Sequence, residues 1–177
     1  MAGRQLKLIS CLGRISRDIY EFTDEEKKQH CFFNMGAMGS TLPLGLGLAI
    51  ACPDKKFVVI EGDGSIIMNL GGLVTFKRYN PGNLTLVIID NKQYETTGGQ
   101  ASQPEGFDFT ATCKGIGLRT KMISSQQVLE AGLVEIEKGN CAFDVMIVNA
   151  LPDPVAPRIT ESPAELAAKF KKHLTNL

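Results

Sequence analysis

The chain has 177 residues, and its 19 basic and 19 acidic side chains balance to a formal net charge of zero. This length is typical of one domain with its own core, and the balanced charge argues against a nucleic-acid or other polyanionic partner. No apolar run is long enough to span a membrane, and the N-terminus lacks the pattern of a signal peptide. The five cysteines are dispersed and have no CxxC spacing, which favours free thiols in a reducing cytoplasm.

The first half of the chain predicts strands that alternate with helices. The predicted strands lie at 6–10, 31–33, 56–60 and 84–89, and the predicted helices at 14–28, 43–51 and 66–79. The runs at 56–60 and 84–89 are continuously apolar and rich in Val and Ile, which is typical of parallel strands covered on both faces. The helix between them carries apolar residues at helical spacing, namely Ile67, Leu70, Leu73 and Val74.

The second half continues the alternation. It predicts a helix at 109–116, a strand at 119–123, a helix that runs to residue 138, and a buried strand at 142–149. Ser124 or Ser125 is expected to cap the second of these helices, because a serine side chain can accept from the free N–H groups of a first turn. The proline-rich segment at 152–157 predicts a rigid connector to the last helix.

A capping box marks the start of that last helix, at 162–177. Ser162 and Glu165 stand three positions apart with Pro163 at the first helical position, and Leu166, Phe170 and Leu174 are expected to face inward. The alternation of strands and helices implies an α/β fold, a three-layer, doubly wound and mainly parallel sheet. We expect residues 1–177 to form a single domain.

Two short polar segments carry the functional signal, and each follows one of the continuous apolar strands. They are Glu61-Gly62-Asp63-Gly64-Ser65 and Asp90-Asn91-Lys92-Gln93. An Asp-Gly pair alone is usually only a turn, but ligands of open parallel sheets bind beyond the carboxyl ends of strands, where both segments fall. Mg²⁺ prefers oxygen ligands, often including phosphate oxygens. The pair therefore predicts a metal that carries a phosphorylated cofactor, with Asp63 and Asn91 as ligands.

Together the two segments resemble the diphosphate-binding signature of the thiamine diphosphate-dependent decarboxylase family. The resemblance implies thiamine diphosphate and Mg²⁺ as cofactors, with Asp63, Asn91 and the backbone carbonyl of Gln93 as metal ligands. It also implies that backbone N–H groups of Gly64 and Ser65 bind the diphosphate, where the start of a helix favours an anion. The cofactor-binding residues that it implies are Gly13, Gly36, Met38, Gly62, Asp63, Gly64, Ser65, Asn91, Gln93 and Tyr94.

A third segment, Asn34-Met35-Gly36-Ala37-Met38, matches the same family upstream of the first two. In that family a glycine carbonyl accepts from the 4′-amino group of the cofactor's pyrimidine, and an apolar residue two positions later holds the cofactor bent. Gly36 and Met38 occupy these positions. An unbranched, polarizable Met can fill the space between two rings, so the match is chemically sensible.

Within the family, the chain is most similar to sulfopyruvate and phosphonopyruvate decarboxylases. The segments that carry this similarity lie at 13–20, 62–75, 96–100 and 157–159. Cys11-Leu12 departs from the pattern, because relatives usually have two threonines there whose hydroxyls can contact the diphosphate. The similarity implies decarboxylation of a small anionic 2-oxo acid, foremost 3-sulfopyruvate, to sulfoacetaldehyde and CO₂. The loop expected to contact substrate comprises Thr96, Thr97, Gly98, Gly99 and Gln100.

Enzymes of this family build each active site from two homologous domains, and the chain resembles only one of them. The other domain supplies a glutamate to the pyrimidine of the cofactor, a general acid and base role. Glu21, Glu25 and Glu26 lie in a charged segment that is typical of a solvated helix face, so they are poor candidates. The resemblance therefore implies a beta subunit whose alpha subunit carries the pyrimidine-binding domain and the glutamate, in a heteromer of alpha/beta dimers of dimers or larger.

Three alternatives stay open at the level of sequence. A phosphonopyruvate decarboxylase subunit would share every motif, and an acetolactate synthase-like carboligase would share the cofactor but couple two 2-oxo acids. A cofactor-binding regulatory subunit is the non-enzymatic alternative. A dinucleotide-binding domain is disfavoured, because Gly45-Leu46-Gly47 lies inside a predicted helix and lacks the third glycine of that motif.

Overall fold

The structure, a computed structural model, describes residues 6–138, 141–149 and 156–175. Its strands are β1 (Leu6–Ser10), β2 (Cys31–Phe33), β3 (Lys56–Gly62), β4 (Leu84–Asp90), β5 (Gln93–Tyr94), β6 (Gln100–Ala101), β7 (Thr120–Ile123) and β8 (Val145–Asn149). Its helices are α1 (Arg14–Phe22), α2 (Glu25–Lys28), α3 (Thr41–Ala51), α4 (Asp63–Met68), α5 (Gly71–Tyr79), α6 (Phe109–Ile116), α7 (Gln126–Lys138) and α8 (Pro163–Thr175).

Six strands form one parallel sheet in the order β2-β1-β3-β4-β8-β7. Successive residues of β3 and β4 point to opposite faces, and they enter two different hydrophobic clusters. Val59 and Leu86 pack on the face covered by α3 and α5, whereas Val58 and Val87 pack on the face covered by α7. The sheet is therefore buried between two helical layers, which confirms the three-layer α/β prediction.

The connections reverse direction around β1, and this reversal positions the site. From β1 the chain passes to β2 on one side, then crosses back to β3 on the other side. Loops that leave neighbouring strands in opposite directions open a crevice at the carboxyl ends of those strands. The segment after β1 begins at Cys11, and the segment after β3 begins at Asp63. The crevice therefore lies next to the predicted segment Glu61-Gly62-Asp63-Gly64-Ser65, at the end of β3.

Two helices predicted as continuous are each broken in two. The helix predicted at 14–28 is interrupted because Thr23 and Asp24 adopt extended backbone conformations between α1 and α2. The helix predicted at 66–79 starts earlier, at Asp63, and breaks at Asn69, whose side-chain amide donates to the carbonyl of Gly39 at 2.9 Å. Leu73 is fully buried as expected, but Val74 is 57% exposed. The predictions of one continuous helix at 14–28 and another at 66–79 were therefore wrong.

The capping predictions are confirmed. The Ser125 hydroxyl accepts from the N–H of Val128 at the start of α7. The N–H of Ser162 donates to the Glu165 carboxylate at 2.9 Å, and the N–H of Glu165 donates to the Ser162 hydroxyl at 3.3 Å. The inward face of α8 is buried through Leu166 and Phe170.

Most of the predicted connector at 152–157, namely 152–155, lies outside the described residues. In the described part of the chain, no helix has the length and apolarity needed to cross a bilayer.

Two glycines of α3 make a matched test of packing against the sheet. A Cβ at Gly45 would lie 2.2 Å from Cγ2 of Val59, whereas a Cβ at Gly47 would have no heavy atom within 4 Å. We expect Gly45→Ala to lower the free energy of unfolding by about 1–3 kcal/mol through overpacking. Gly47→Ala should raise it by about 0.5–1 kcal/mol through helix propensity. Urea unfolding measures the free energy of unfolding of both variants. Equal changes in this free energy would contradict the close packing of α3 on β3.

Candidate active site

A cleft of about 250 Å³ opens at the carboxyl ends of β1, β3 and β4. It lies at the crevice that the reversal of the chain creates, so the topology and the cavity agree. The cleft brings together ten residues that the sequence predicted for the site, namely Gly13, Met38, Gly62, Asp63, Gly64, Ser65, Asn91, Gln93, Tyr94 and Thr96.

The remaining predicted residues lie away from the lining of this cleft. Gly36 is an exposed loop residue with a positive φ of 104°. Thr97 to Gln100 belong to an exposed hairpin in which β5 pairs antiparallel with β6. The Gln100 side chain donates to the carbonyl of Thr97 at 2.9 Å, so it is engaged within its own loop. Contacts of Gly36, Thr97, Gly98, Gly99 and Gln100 with cofactor or substrate therefore stay predictions.

Asp63 is the first residue of α4, and its carboxylate is nearly buried, with 4% of the residue exposed. It accepts a hydrogen bond from the hydroxyl of Ser102 at 2.5 Å. No cationic side chain within residues 6–138, 141–149 and 156–175 forms an ion pair with it. Because a buried carboxylate is unfavourable unless a positive charge compensates it, the environment of Asp63 suits a bound cation.

Asn91 follows the end of β4, and both ends of its side-chain amide are engaged. Oδ1 accepts from the N–H of Gln93 at 3.1 Å, and Nδ2 donates to Oε2 of Glu95 at 3.3 Å. Lys92, between Asn91 and Gln93, has a positive φ of 62°, which makes this tight turn possible. The turn brings the side chain of Asn91 next to the main chain of Gln93, as a ligand pair from these two residues requires.

Several acidic groups are buried at this end of the sheet. Burial, and then the nearby charge of Asp63, raise the pKa of the Asp90 carboxyl. Burial also raises the pKa of Glu61, whose Oε1 accepts from the N–H of Leu42 at 3.1 Å while its Oε2 has no hydrogen-bond partner. The thiol of Cys11 has a raised pKa, through burial and then through Glu61. A divalent cation at Asp63 would offset the cost of an ionised carboxylate in this buried environment.

The donor set fits magnesium better than a softer metal. Among the residues that the structure describes, no group of three or more His, Cys, Asp and Glu side chains could hold a metal ion. One carboxylate, one amide oxygen and a backbone carbonyl leave coordination positions free for phosphate oxygens, the arrangement that Mg²⁺ commonly takes with phosphorylated ligands. The residues present therefore fit a magnesium diphosphate.

Glycines allow the loops around the cleft to pack closely. A Cβ at Gly64 would lie 2.3 Å from Cε1 of Tyr94, so a side chain at position 64 would displace the tyrosine ring. Gly13 has a positive φ of 81°, and a Cβ there would lie 3.2 Å from Cγ2 of Thr96. The loops that follow β1, β3 and β4 thus contact one another and form one continuous cleft wall.

Sequence reasoning missed four charged or hydroxyl-bearing residues at or next to the cleft, namely Arg14, Asp18, Glu95 and Ser102. Arg14 donates to Oε1 of Glu95 and, at 3.2 Å, to Oδ2 of Asp18. All three residues line the cleft. The spacing of Arg14 and Asp18 by four positions on a predicted helix could have indicated their ion pair. No comparable signal links Ser102 to Asp63, which lies 39 positions earlier in the chain.

Comparison with known proteins identifies relatives of this fold and sequence. Residues 9–176 match the family described as thiamine pyrophosphate enzyme, C-terminal TPP binding domain. The chain is 35% identical over 154 residues to the sulfopyruvate decarboxylase subunit beta of Methanothermobacter thermautotrophicus, with 81% of each chain covered. It is 33% identical over 178 residues to the phosphonopyruvate decarboxylase of Streptomyces viridochromogenes, covering 97% of this chain and 43% of that protein. Among solved structures, the benzoylformate decarboxylase of Polynucleobacter necessarius shares the fold with a TM-score of 0.59 at 17% identity, over 82% of this chain and 30% of that one.

Proposed function

The chain belongs to the family of thiamine pyrophosphate enzymes, as their C-terminal TPP-binding domain, and we propose that it is the cofactor-binding beta subunit of a 2-oxo acid decarboxylase. The substrate that we propose is 3-sulfopyruvate, which would yield sulfoacetaldehyde and CO₂. The observation that carries the proposal is the cleft at the reversal of the sheet, where Asp63, Asn91 and Gln93 lie together. The match to a sulfopyruvate decarboxylase beta subunit over most of both chains supports the choice of substrate.

Different residues of the cleft would bind the metal, the diphosphate and the rings of the cofactor. The Asp63 carboxylate, the Asn91 amide oxygen and the Gln93 carbonyl would hold Mg²⁺, and N–H groups of Gly64 and Ser65 would bind the diphosphate. When bound, thiamine pyrophosphate, also called thiamine diphosphate, would supply the nucleophilic carbon and accept the electron pair that stays behind when CO₂ leaves. Met38 lines the cleft and offers an apolar surface to the rings of the cofactor. Tyr94 and Thr96 form another part of the cleft wall.

We also propose that the active site is completed by a separate alpha subunit. Among the residues that the structure describes, Glu95 is the one glutamate that lines the cleft, and it is paired with Arg14 and Asn91. It is therefore not available as the acid and base for the pyrimidine, and this carboxylate is expected from the partner's pyrimidine-binding domain. The beta designation of the relative from Methanothermobacter thermautotrophicus supports a heteromer, for which we propose alpha/beta dimers of dimers or larger.

The proposed subunit is one domain comprising residues 1–177 and acts in the cytoplasm. The five cysteines support the location, because all of them are free thiols in the structure. A phosphonopyruvate decarboxylase subunit is the nearest alternative, and the match of 97% of this chain to 43% of such a protein supports it.

A substrate panel tests this proposal. The two-chain complex would be given 3-sulfopyruvate, 3-phosphonopyruvate and pyruvate with Mg²⁺ and thiamine diphosphate, and CO₂ and aldehyde would be measured. We expect kcat/KM for 3-sulfopyruvate to exceed that for pyruvate by at least about tenfold, because a site built for an anionic group is left with unpaired polar groups by a smaller substrate. Preference for 3-phosphonopyruvate, coupling of two 2-oxo acids, or cofactor binding without turnover would each support one of the alternatives instead.

A further inference from the structure

We propose that Glu95 is a positioning residue that orients the amide of Asn91 so that its oxygen faces the metal. The inference rests on the proposed function, because it concerns a ligand of the metal in that site. It goes beyond the ligands themselves, since Glu95 binds neither the metal nor the diphosphate. No motif in the sequence assigns a role to this residue.

The geometry that carries the inference is a chain of hydrogen bonds along one wall of the cleft. Asn91 Nδ2 donates to Oε2 of Glu95 at 3.3 Å, and the other carboxylate oxygen of Glu95 accepts from Nη1 of Arg14. Arg14 is in turn bonded to Asp18 at 3.2 Å. The side chains of Arg14 and Glu95 are only 13% and 21% exposed, so water competes weakly for these contacts. Asn91 is thus the inner end of a network anchored on α1.

The orientation of Asn91 matters because its amide has two chemically different ends of nearly equal shape. Only the oxygen can bind a cation, and a rotation of about 180° would direct the NH₂ group at the metal instead. A carboxylate accepts and cannot donate, so Glu95 selects the NH₂ end of the amide. The N–H of Gln93, which donates to Oδ1 at 3.1 Å, selects the oxygen end. Both contacts favour the same orientation of the Asn91 amide. The contact with Glu95 is the stronger kind of hydrogen bond, because its acceptor is charged.

Arg14 explains why a carboxylate is needed at position 95. A glutamine there would have a single carbonyl oxygen, for which Arg14 and Asn91 would compete. The charged guanidinium forms the stronger hydrogen bond, so the NH₂ group of the glutamine would face Nδ2 of Asn91. Two donors cannot satisfy each other, and Asn91 would be driven to rotate away from the orientation that binds the metal.

The first part of the test measures Mg²⁺ affinity of the two-chain complex in the presence of thiamine diphosphate, by calorimetric titration. We expect Glu95→Gln to weaken Mg²⁺ binding by 10- to 100-fold, the usual effect of removing a partner that orients a metal ligand. The matched control is Glu105→Gln, which removes a similar charge from an exposed position and should leave the affinity unchanged. Thermal unfolding of the metal-free variants checks that both fold.

The second part separates orientation from general structural damage. In Asn91→Asp, both oxygens of residue 91 can bind the metal, so no orienting partner is needed. In that background Glu95→Gln also removes repulsion between two carboxylates, and the Mg²⁺ affinity should stay equal or rise. A loss of the same size in both backgrounds would show a merely structural role and overturn the inference.

The outcomes also distinguish this inference from the proposed function. If the wild-type complex binds Mg²⁺ and thiamine diphosphate but Glu95→Gln binds them equally well, only the role of Glu95 is wrong. If the wild-type complex binds neither, the proposed function itself fails, and the role of Glu95 fails with it.

Discussion

Asp63→Asn is expected to weaken magnesium-dependent binding of thiamine diphosphate by at least about a hundredfold, because the number of charged ligands sets the affinity of such sites. The substitution preserves shape but removes the charge that would hold the metal. In the metal-free protein the effect on stability should have the opposite sign. Asp63 is 4% exposed and has no cationic partner among the described residues, so neutralising it removes an unfavourable buried charge.

The measurement is a calorimetric titration of the two-chain complex with thiamine diphosphate, with and without Mg²⁺, together with thermal unfolding of the metal-free protein. Asp54→Asn is the matched control, since Asp54 is an exposed aspartate outside the residues that line the cleft. Unchanged cofactor affinity in Asp63→Asn would contradict the metal site. A large loss of metal-free stability would instead show that Asp63 serves mainly to maintain the fold.

The second large effect is expected from the partner subunit. The isolated chain should release CO₂ from 3-sulfopyruvate at least about a hundredfold more slowly than the two-chain complex, because a missing general acid and base typically lowers rates by 10²- to 10⁴-fold. The glutamate in the cleft is already held by Arg14 and Asn91, which leaves this function to the other chain.

Titrating the chain with the alpha subunit at constant cofactor concentration measures this dependence. Activity should rise and saturate when the two chains are present in equal numbers. The chain carrying Asp63→Asn should still associate with the partner but should not restore activity, which separates assembly from chemistry. Full activity of the isolated chain would refute the half-site proposal.

Local sequence patterns were sufficient for the α/β class and for the order of the main strands and helices. Burial of β3 and β4 on both faces follows from their continuous apolar runs, as the packing of Val58 and Val59 into different clusters confirms. Patterns failed where the end of a helix coincides with a contact to a distant part of the main chain. Asn69 ends α4 by bonding to Gly39, 30 positions earlier, and no local propensity contains that contact.

Part of the site could likewise be predicted from the sequence, and part could not. Asp63 and Asn91 could be paired from sequence alone, because each follows a parallel strand and the carboxyl ends of neighbouring strands meet at one edge of the sheet. The contact between Arg14, at the start of α1, and Glu95, which follows β5, spans 81 positions, so only the tertiary structure could show it. By itself the sequence determined the fold class and the family, and it predicted Asp63 and Asn91 as a pair of metal ligands, because these depend on periodicity and on short motifs at strand ends. Only the folded chain shows which side chains contact that pair, Ser102 at Asp63 and Glu95 at Asn91, because those contacts depend on how separate segments pack across the cleft.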